Sequence, residues 1–392
     1  MRLMKDVIYD KPDLWHIRKK TMAQTKKAKY HYKHNYDSQR HKITFLEERK
    51  KMKALFIGGT GTISTAITKL AVKLGWELYL LNRGNRDAIL PDGVKTIHVD
   101  INGDRAKVLD ALGDMKFDVV ADFIIFKKEQ VVRDYEIFKG RTKQYFFISS
   151  ASAYQTPPEN CVLNESTPLY NPFWQYSRDK IECEEFLMDK YRKEGFPITI
   201  IRPSHTYDER FVPMGAHGKN GSWQILKRMI EGKRVIIQGD GTSLWTVTHN
   251  SDFAKGFVGL MGNIHAIGEA VQITSDESVT WNQIYRVVAD TLGVPLKACY
   301  VPSDFLADVS PADWDLRGGL LGDKSNSVIF DNTKLKRLVP GFVATVRMDQ
   351  GIADTVRYVT THKECQKEDP EFDAWCDKVI AAMDSAKQAL LK

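Results

Sequence analysis

Residues 54–64 read Ala-Leu-Phe-Ile-Gly-Gly-Thr-Gly-Thr-Ile-Ser. Four apolar residues in a row, three of them large, suit a strand buried on both faces. Three glycines follow within four positions. Ile63, Ile67, Leu70 and Leu74 then recur at i, i+4, i+7 and i+11, one face of a helix. The stretch therefore predicts a strand, a tight glycine turn and a helix. The free N–H groups and positive dipole end of that helix suit a pyrophosphate. Gly58, Gly59 and Gly61 suit the turn because a Cβ would hold phosphates away from the backbone, and Thr60, Thr62 and Ile63 complete the loop. A third glycine would be usual at Ser64, and this substitution is expected to loosen helix–strand packing.

Outward from this unit the alternation continues. Strands are expected at Leu78–Leu81, Lys95–Val99, Val119–Phe123, Tyr145–Ile148 and Ile198–Ile201, with a helix over Tyr176–Lys193 before the last. This pattern predicts an α/β fold, a doubly wound parallel sheet of the Rossmann type with a smaller C-terminal substrate lobe. Residues 52–203 form the expected dinucleotide-binding core. Residues 204–392 form the lobe, with elements returning to the core and a terminal amphipathic helix at Glu371–Leu391. Residues 1–51 read as a basic, weakly ordered extension.

Charge separates these parts. Residues 1–51 hold 15 Lys+Arg against 6 Asp+Glu, leaving 42 against 44 in the other 341 residues, so the net +7 comes from the tail. A basic nucleic-acid-binding core is excluded, and nucleic acid is expected, if anywhere, on residues 1–51, where Tyr30, His31, Tyr32, His34 and Tyr36 interleave with lysines. No apolar run reaches the roughly 20 residues of a membrane span, and the first 20 residues lack a signal core. A cytoplasmic protein acting on a small molecule is expected, with a homodimer compatible. Five scattered cysteines and the lack of any HExxH or CxxC spacing suggest neither disulfides nor a metal site.

The end of the second strand bears on which dinucleotide fits. An acidic residue there would bond the ribose hydroxyls and repel a 2′-phosphate. Asn82-Arg83-Gly84-Asn85-Arg86 stands instead, which favours NADP over NAD. Asp100 is placed to meet the adenine amino group, and Ile101 its ring.

Two YxxxK spacings occur, Tyr135/Lys139 and Tyr176/Lys180, and each puts both side chains on one helix face. Position distinguishes them. Tyr176 follows the fifth strand, whose C-terminal end runs into the hydroxyls of Ser149, Ser150 and Ser152, whereas Tyr135 belongs to a flank helix. Tyr176 is the expected general acid/base and Lys180 the cation that lowers its pKa and binds the nicotinamide ribose. Ser150 is expected to orient the substrate.

The strings GGTGTIS (58–64), FFISSASAY (146–154), YSRDK (176–180), IRPSHTY (201–207) and GDGTSLWTVTHNSDFA (239–254) resemble the NAD-dependent epimerase/dehydratase family, an extended branch of the short-chain dehydrogenases/reductases, in order and spacing over residues 53–345. The resemblance implies the same assignment of Ser150, Tyr176 and Lys180. It also makes Arg202-Pro203 the motif that opens the substrate lobe. Ser152, His205 and Trp245 are the candidates for substrate contact. Trp245 stands where nucleotide-sugar members carry a diphosphate-clamping arginine, and His205 where they carry an asparagine. An indole cannot replace a cationic fork. The glycine-loop start and the segment 273–280 look more like an atypical branch that includes chloroplast stem-loop RNA-binding proteins. Three functions therefore stand: an oxidoreductase or epimerase on a small hydroxyl or carbonyl substrate, a nucleotide-sugar epimerase or dehydratase, and an RNA-binding protein without catalysis.

Overall fold

Strand β1 (Lys53–Ile57) is an inner strand of a seven-stranded sheet in the computed structural model, which describes residues 52–84 and 90–392. Helix α1 (Thr62–Lys73) leads to β2 (Glu77–Asn82), and β3 (Lys95–His98) and α2 (Arg105–Leu112) to β4 (Val119–Asp122). Then come α3 (Lys128–Phe138), β5 (Tyr145–Ile148), α4 (Gln175–Glu194) and β6 (Ile198–Pro203). The spatial order is β7-β6-β5-β4-β1-β2-β3, every pair parallel, where β7 (Ala270–Ile273) arrives from the C-terminal half to cover the β6 edge.

Pleating explains the two cores. Ala54, Phe56, Leu78, Leu80 and Phe146 pack on one face against Ile67 of α1 and against Phe253 and Phe257 of a later helix, Asn250–Leu260. Leu55, Ile57, Leu81, Val120 and Phe147 alternate with them onto the other face, against Cys183 and Leu187 of α4. Parallel strands need both faces covered, and the long apolar runs in the sequence reflect that need.

A further hydrophobic cluster lies in the C-terminal half. Short parallel pairs join Val235–Gln238 to Ala298–Val301 and His205–Tyr207 to Val247–His249. Around them Trp281, Tyr285, Trp245, Ile237 and Ile352 are buried together. The terminal helix, Pro370–Leu390, closes this cluster with Phe372, Trp375 and Ile380. Arg228 fixes it by ion pairs to Asp373 and Asp377, each at 2.7 Å. Where β6 ends, Arg202 makes a fork-to-fork pair with Glu184 of α4, at 3.0 and 2.6 Å, with both side chains buried.

Candidate active site

The turn after β1 is built for close approach. Gly58 and Gly59 have φ of +97° and +91°, and a Cβ on Gly59 would lie 2.6 Å from Leu80. The expected loosening at Ser64 does not occur. Its side chain is buried and its Oγ accepts from the Gly61 N–H at 2.9 Å, closing the first turn of α1. The Thr68 hydroxyl bonds the Gly59 carbonyl at 2.9 Å, and Asn250 reaches the Thr62 carbonyl at 3.0 Å. The loop is held rigid from below and from the side.

From this loop a cleft of about 620 Å³ runs along the C-terminal edge of the sheet. Gly58, Gly59, Thr60, Gly61, Thr62 and Ile63 line its floor, and Asn82, Arg83, Asp100 and Ile101 line one end. Tyr176 and Lys180 line the other. The Asn82 carboxamide accepts from the Gly84 N–H, leaving the exposed Arg83 guanidinium with no partner among the described residues. Asp100 closes its own turn by accepting from Asn102 at 3.0 Å. Arg86 and the tail 1–51 lie outside the described residues.

Further wall residues carried no site role in the sequence reading: Phe123, Ile124, Phe126 and Gln130, with Ser149 and Pro203, which were noted there only as a strand-end hydroxyl and as part of a motif. Ser149 is the most informative. Its hydroxyl is fully buried, lines the cleft and has no hydrogen-bond partner among the described residues. Such an orphan costs free energy unless a ligand satisfies it. Together with the glycine cradle, it makes the cleft fit a dinucleotide. Its signal was present in the sequence, as the first of the serines after β5.

Lys180 is buried, and its Nζ donates to the carbonyls of Ile125 (2.5 Å) and Ile148 (2.7 Å). Phe126, Phe147 and Tyr176 surround the ammonium, with ring centroids at 5.0, 5.1 and 5.6 Å. Burial pushes its pKa down to about 8. Burial also pushes Tyr176 up, to about 12, against the opposite pull of nearby Ser150. Lys180 is not among the groups that shift the tyrosine here. The ammonium is directed to main-chain carbonyls, and desolvation governs both groups.

Ser150 does two things. It caps the turn Ala151–Ala153 through the Ser152 N–H, and it lies near enough to Tyr176 to pull that phenol's pKa down. Ser152 is buried, its Oγ bonded to Ser150 Oγ (2.8 Å) and Ser177 Oγ (2.7 Å), so it props the serine turn rather than lining the cleft. Ser177, fully buried between Tyr176 and Lys180 on α4, was not anticipated. Trp245 also lies off the cleft. It is buried in the second hydrophobic centre, stacked on Trp281 with centroids 6.0 Å apart. His205 is half-buried, has no hydrogen-bond partner among the described residues, and is pushed down to about 3 by burial and by Lys324 and His217.

Among the described residues no group of His, Cys, Asp and Glu could hold a metal ion, and no helix is long and apolar enough to cross a membrane.

Comparison with known proteins agrees with this geometry. The NAD dependent epimerase/dehydratase family model matches residues 54–274. A 2'-dehydrokanamycin reductase of Streptomyces kanamyceticus is 22% identical over 297 residues, 75% of this chain and 81% of that protein. The chloroplast stem-loop binding protein of 41 kDa b of Arabidopsis thaliana is 25% identical over 288 residues, 68% of this chain and 71% of its own. Among solved structures, a UDP-glucose 4-epimerase of Thermotoga maritima with UDP-glucose superposes with a TM-score of 0.63 at 20% identity. That alignment covers 79% of this chain and 99% of the epimerase.

Proposed function

The chain belongs to the NAD dependent epimerase/dehydratase family, a family of enzymes, and on that premise we propose an NAD(P)-dependent oxidoreductase or epimerase acting by hydride transfer on a small hydroxyl or carbonyl substrate. One observation carries this reading: the glycine cradle and the Tyr176–Lys180 pair line one continuous cleft. When bound, the nicotinamide supplies hydride acceptance and donation and, when oxidised, a positive charge.

The residues divide the remaining tasks. The N–H groups from Gly58 to Ile63 hold the phosphates, and Lys180 offers its ammonium to ribose hydroxyls. The Ser149 hydroxyl would bond a polar group of the bound dinucleotide. Tyr176 exchanges a proton with the substrate oxygen, and Ser150 holds that oxygen in line. A phenol raised to about 12 keeps its proton at neutral pH. In that form it can give its proton to a carbonyl oxygen as hydride arrives, and take it back in the reverse direction.

Asn82 and Arg83 support NADP over NAD. Because Arg83 is exposed, solvent screening limits its contact with a 2′-phosphate to about 1 kcal/mol, or roughly fivefold in affinity. Titrating both cofactors into the protein and into Arg83→Ala checks this, and equal affinities in the unaltered protein would remove it. UDP-glucose is not expected to turn over, because Trp245 leaves the clamp position without a cation. The decisive assay mixes the protein with NADPH or NADP⁺ and a panel of carbonyl and hydroxyl compounds, following nicotinamide absorbance. Failure to bind either cofactor would sink the proposal.

A further inference from the structure

Trp174 stands at the N-terminal boundary of α4 and has no task in the hydride transfer described above. Its indole nevertheless lies on the Tyr176 phenol, with ring centroids 4.9 Å apart and planes tilted by 44°. Phe126 approaches the same phenol at 6.4 Å, and Lys180 Nζ lies 5.6 Å from its centroid. The proton-transfer group is thus packed among rings, and Trp174 makes the closest of these contacts.

A segment of the C-terminal half holds the indole in place. Trp174 Nε1 donates to Asp315 Oδ2 at 2.5 Å, across 141 positions of chain. Asp315 has φ of +53° and ψ of +25°, and among the described residues it is the one non-glycine with positive φ. Such a conformation persists where its surroundings over-determine it, and it concentrates at functional sites. Two glycines let the same segment close on the tryptophan. A Cβ on Gly318 would lie 2.1 Å from Trp174 Cδ1, and one on Gly322 would lie 2.9 Å from Trp174 Cβ. Buried Asn171 ties these parts together. Its Oδ1 accepts from the N–H groups of Phe173 and Trp174, each at 3.1 Å. Its Nδ2 donates to the carbonyls of Ser152 (2.8 Å) and Gly322 (2.7 Å). The backbone before Tyr176, the serine turn and the segment 315–322 therefore meet at one side chain.

We propose that Trp174 is a positioning residue of the reaction: locked by Asp315, Gly318 and Gly322, its indole holds the Tyr176 phenol at the cleft and keeps water from it. The proposal rests on the reading of Tyr176 as the proton-transfer group. A phenol free to swing presents its proton to the substrate in fewer of its conformations. A phenol reached by water also loses part of the desolvation that raises its pKa. The charged groups facing it are Lys180 and Asp323, and the substitutions below leave both in place.

Alkaline titration by ultraviolet difference spectroscopy tests it, subtracting the matching Tyr176→Phe protein in each background. The difference isolates the ionisation of this one phenol and needs neither cofactor nor substrate. In Trp174→Ala its midpoint should fall by about one pH unit or more. In the same variant kcat for NADPH-dependent reduction should drop about tenfold. Trp174→Phe keeps a ring on the phenol and should restore most of both. Gly318→Ala should reproduce Trp174→Ala, because its methyl group takes the place of the indole edge. Gly319→Ala is the matched control and should behave as the parent, since its Cβ would meet only Lys324 Nζ, at 3.6 Å. Urea denaturation reports that each variant folds, and if Trp174→Ala does not, the two glycine variants decide. An unshifted midpoint or a parental kcat in Trp174→Ala, or identical behaviour of Gly318→Ala and Gly319→Ala, would overturn the proposal. A shifted midpoint in a protein that binds neither cofactor would keep Trp174 as the support of the phenol and overturn the hydride-transfer reading. Cofactor binding and turnover with an unshifted midpoint would do the reverse.

Discussion

Two tyrosine–lysine pairs at the same spacing sit on neighbouring helices, and their surroundings make them different chemical objects. On α3 the Lys139 ammonium bonds the Tyr135 hydroxyl directly, at 2.7 Å, and both meet Glu194. Lys139 is exposed and its pKa is raised by those partners. On α4 the lysine is buried and bonds two carbonyls, its pKa falls to about 8, and the phenol turns to a serine beside a cleft. The pair in direct contact is the structural one. A lysine that satisfies a tyrosine with help from a glutamate leaves nothing for a ligand, whereas a desolvated lysine and a phenol facing a cleft do.

The largest test of this contrast is removal of the two hydroxyls. Tyr176→Phe should keep cofactor binding and lower kcat by roughly 10²–10⁴-fold, the effect of losing a positioned proton-transfer group. Tyr135→Phe should leave kcat unchanged. Equal rates in the two variants would end the distinction.

Next come the lysines. Lys180→Met leaves two buried carbonyls unsatisfied, about 1–3 kcal/mol of stability each, and should weaken NADP⁺ binding as well as turnover. Lys139→Met should lower the denaturation midpoint only slightly, because its ion pair is exposed, and leave cofactor affinity unchanged. Titrations and urea melts of both variants decide.

The pairs should also differ in the sign of their pH dependence. Lys180 titrates near 8 when folded and near 10.5 when unfolded, so across that window the unfolded chain binds more protons. Stability contributed by this residue therefore rises with pH from about 8 to 10.5, and the rise is absent in Lys180→Met. Lys139 has a raised folded pKa, so its contribution is complete below the ordinary lysine value and is lost as pH climbs through the folded value. Denaturation of the parent and both Met variants across the window measures the slopes. A Lys180→Met slope equal to the parent's would contradict the buried ammonium.

The smallest expected effect is at Ser177, which holds Tyr176 only through Ser152 and Ser150. Ser177→Ala should cost about 1 kcal/mol of stability and lower kcat several-fold without changing NADP⁺ affinity. A loss as deep as that of Tyr176→Phe would show that the serines carry more of the chemistry than the phenol.

Much of this was written in local pattern. The apolar run 54–57, the glycines after it and the helical spacing from Ile63 predict β1, the turn and α1 because strand, turn and helix each depend on near neighbours. The six core strands and α4 follow from the same periodicities to within two residues at each end. Glycine loop, Asn82, Arg83, Asp100, Tyr176 and Lys180 share one cleft because parallel strands deliver their C-terminal ends to one edge, which the alternation alone implies. Other features depend on residues far apart in the chain. Nothing near Ala270 announces that Ala270–Ile273 pairs with β6. Nor could spacing say that Lys180 would bond carbonyls of two other segments, or that Trp245 would stack into a core rather than face a ligand. Burial and partner choice are set by long-range packing. Desolvation, which separates the two tyrosine–lysine pairs, is a property of everything packed around a group and is absent from its own stretch of chain.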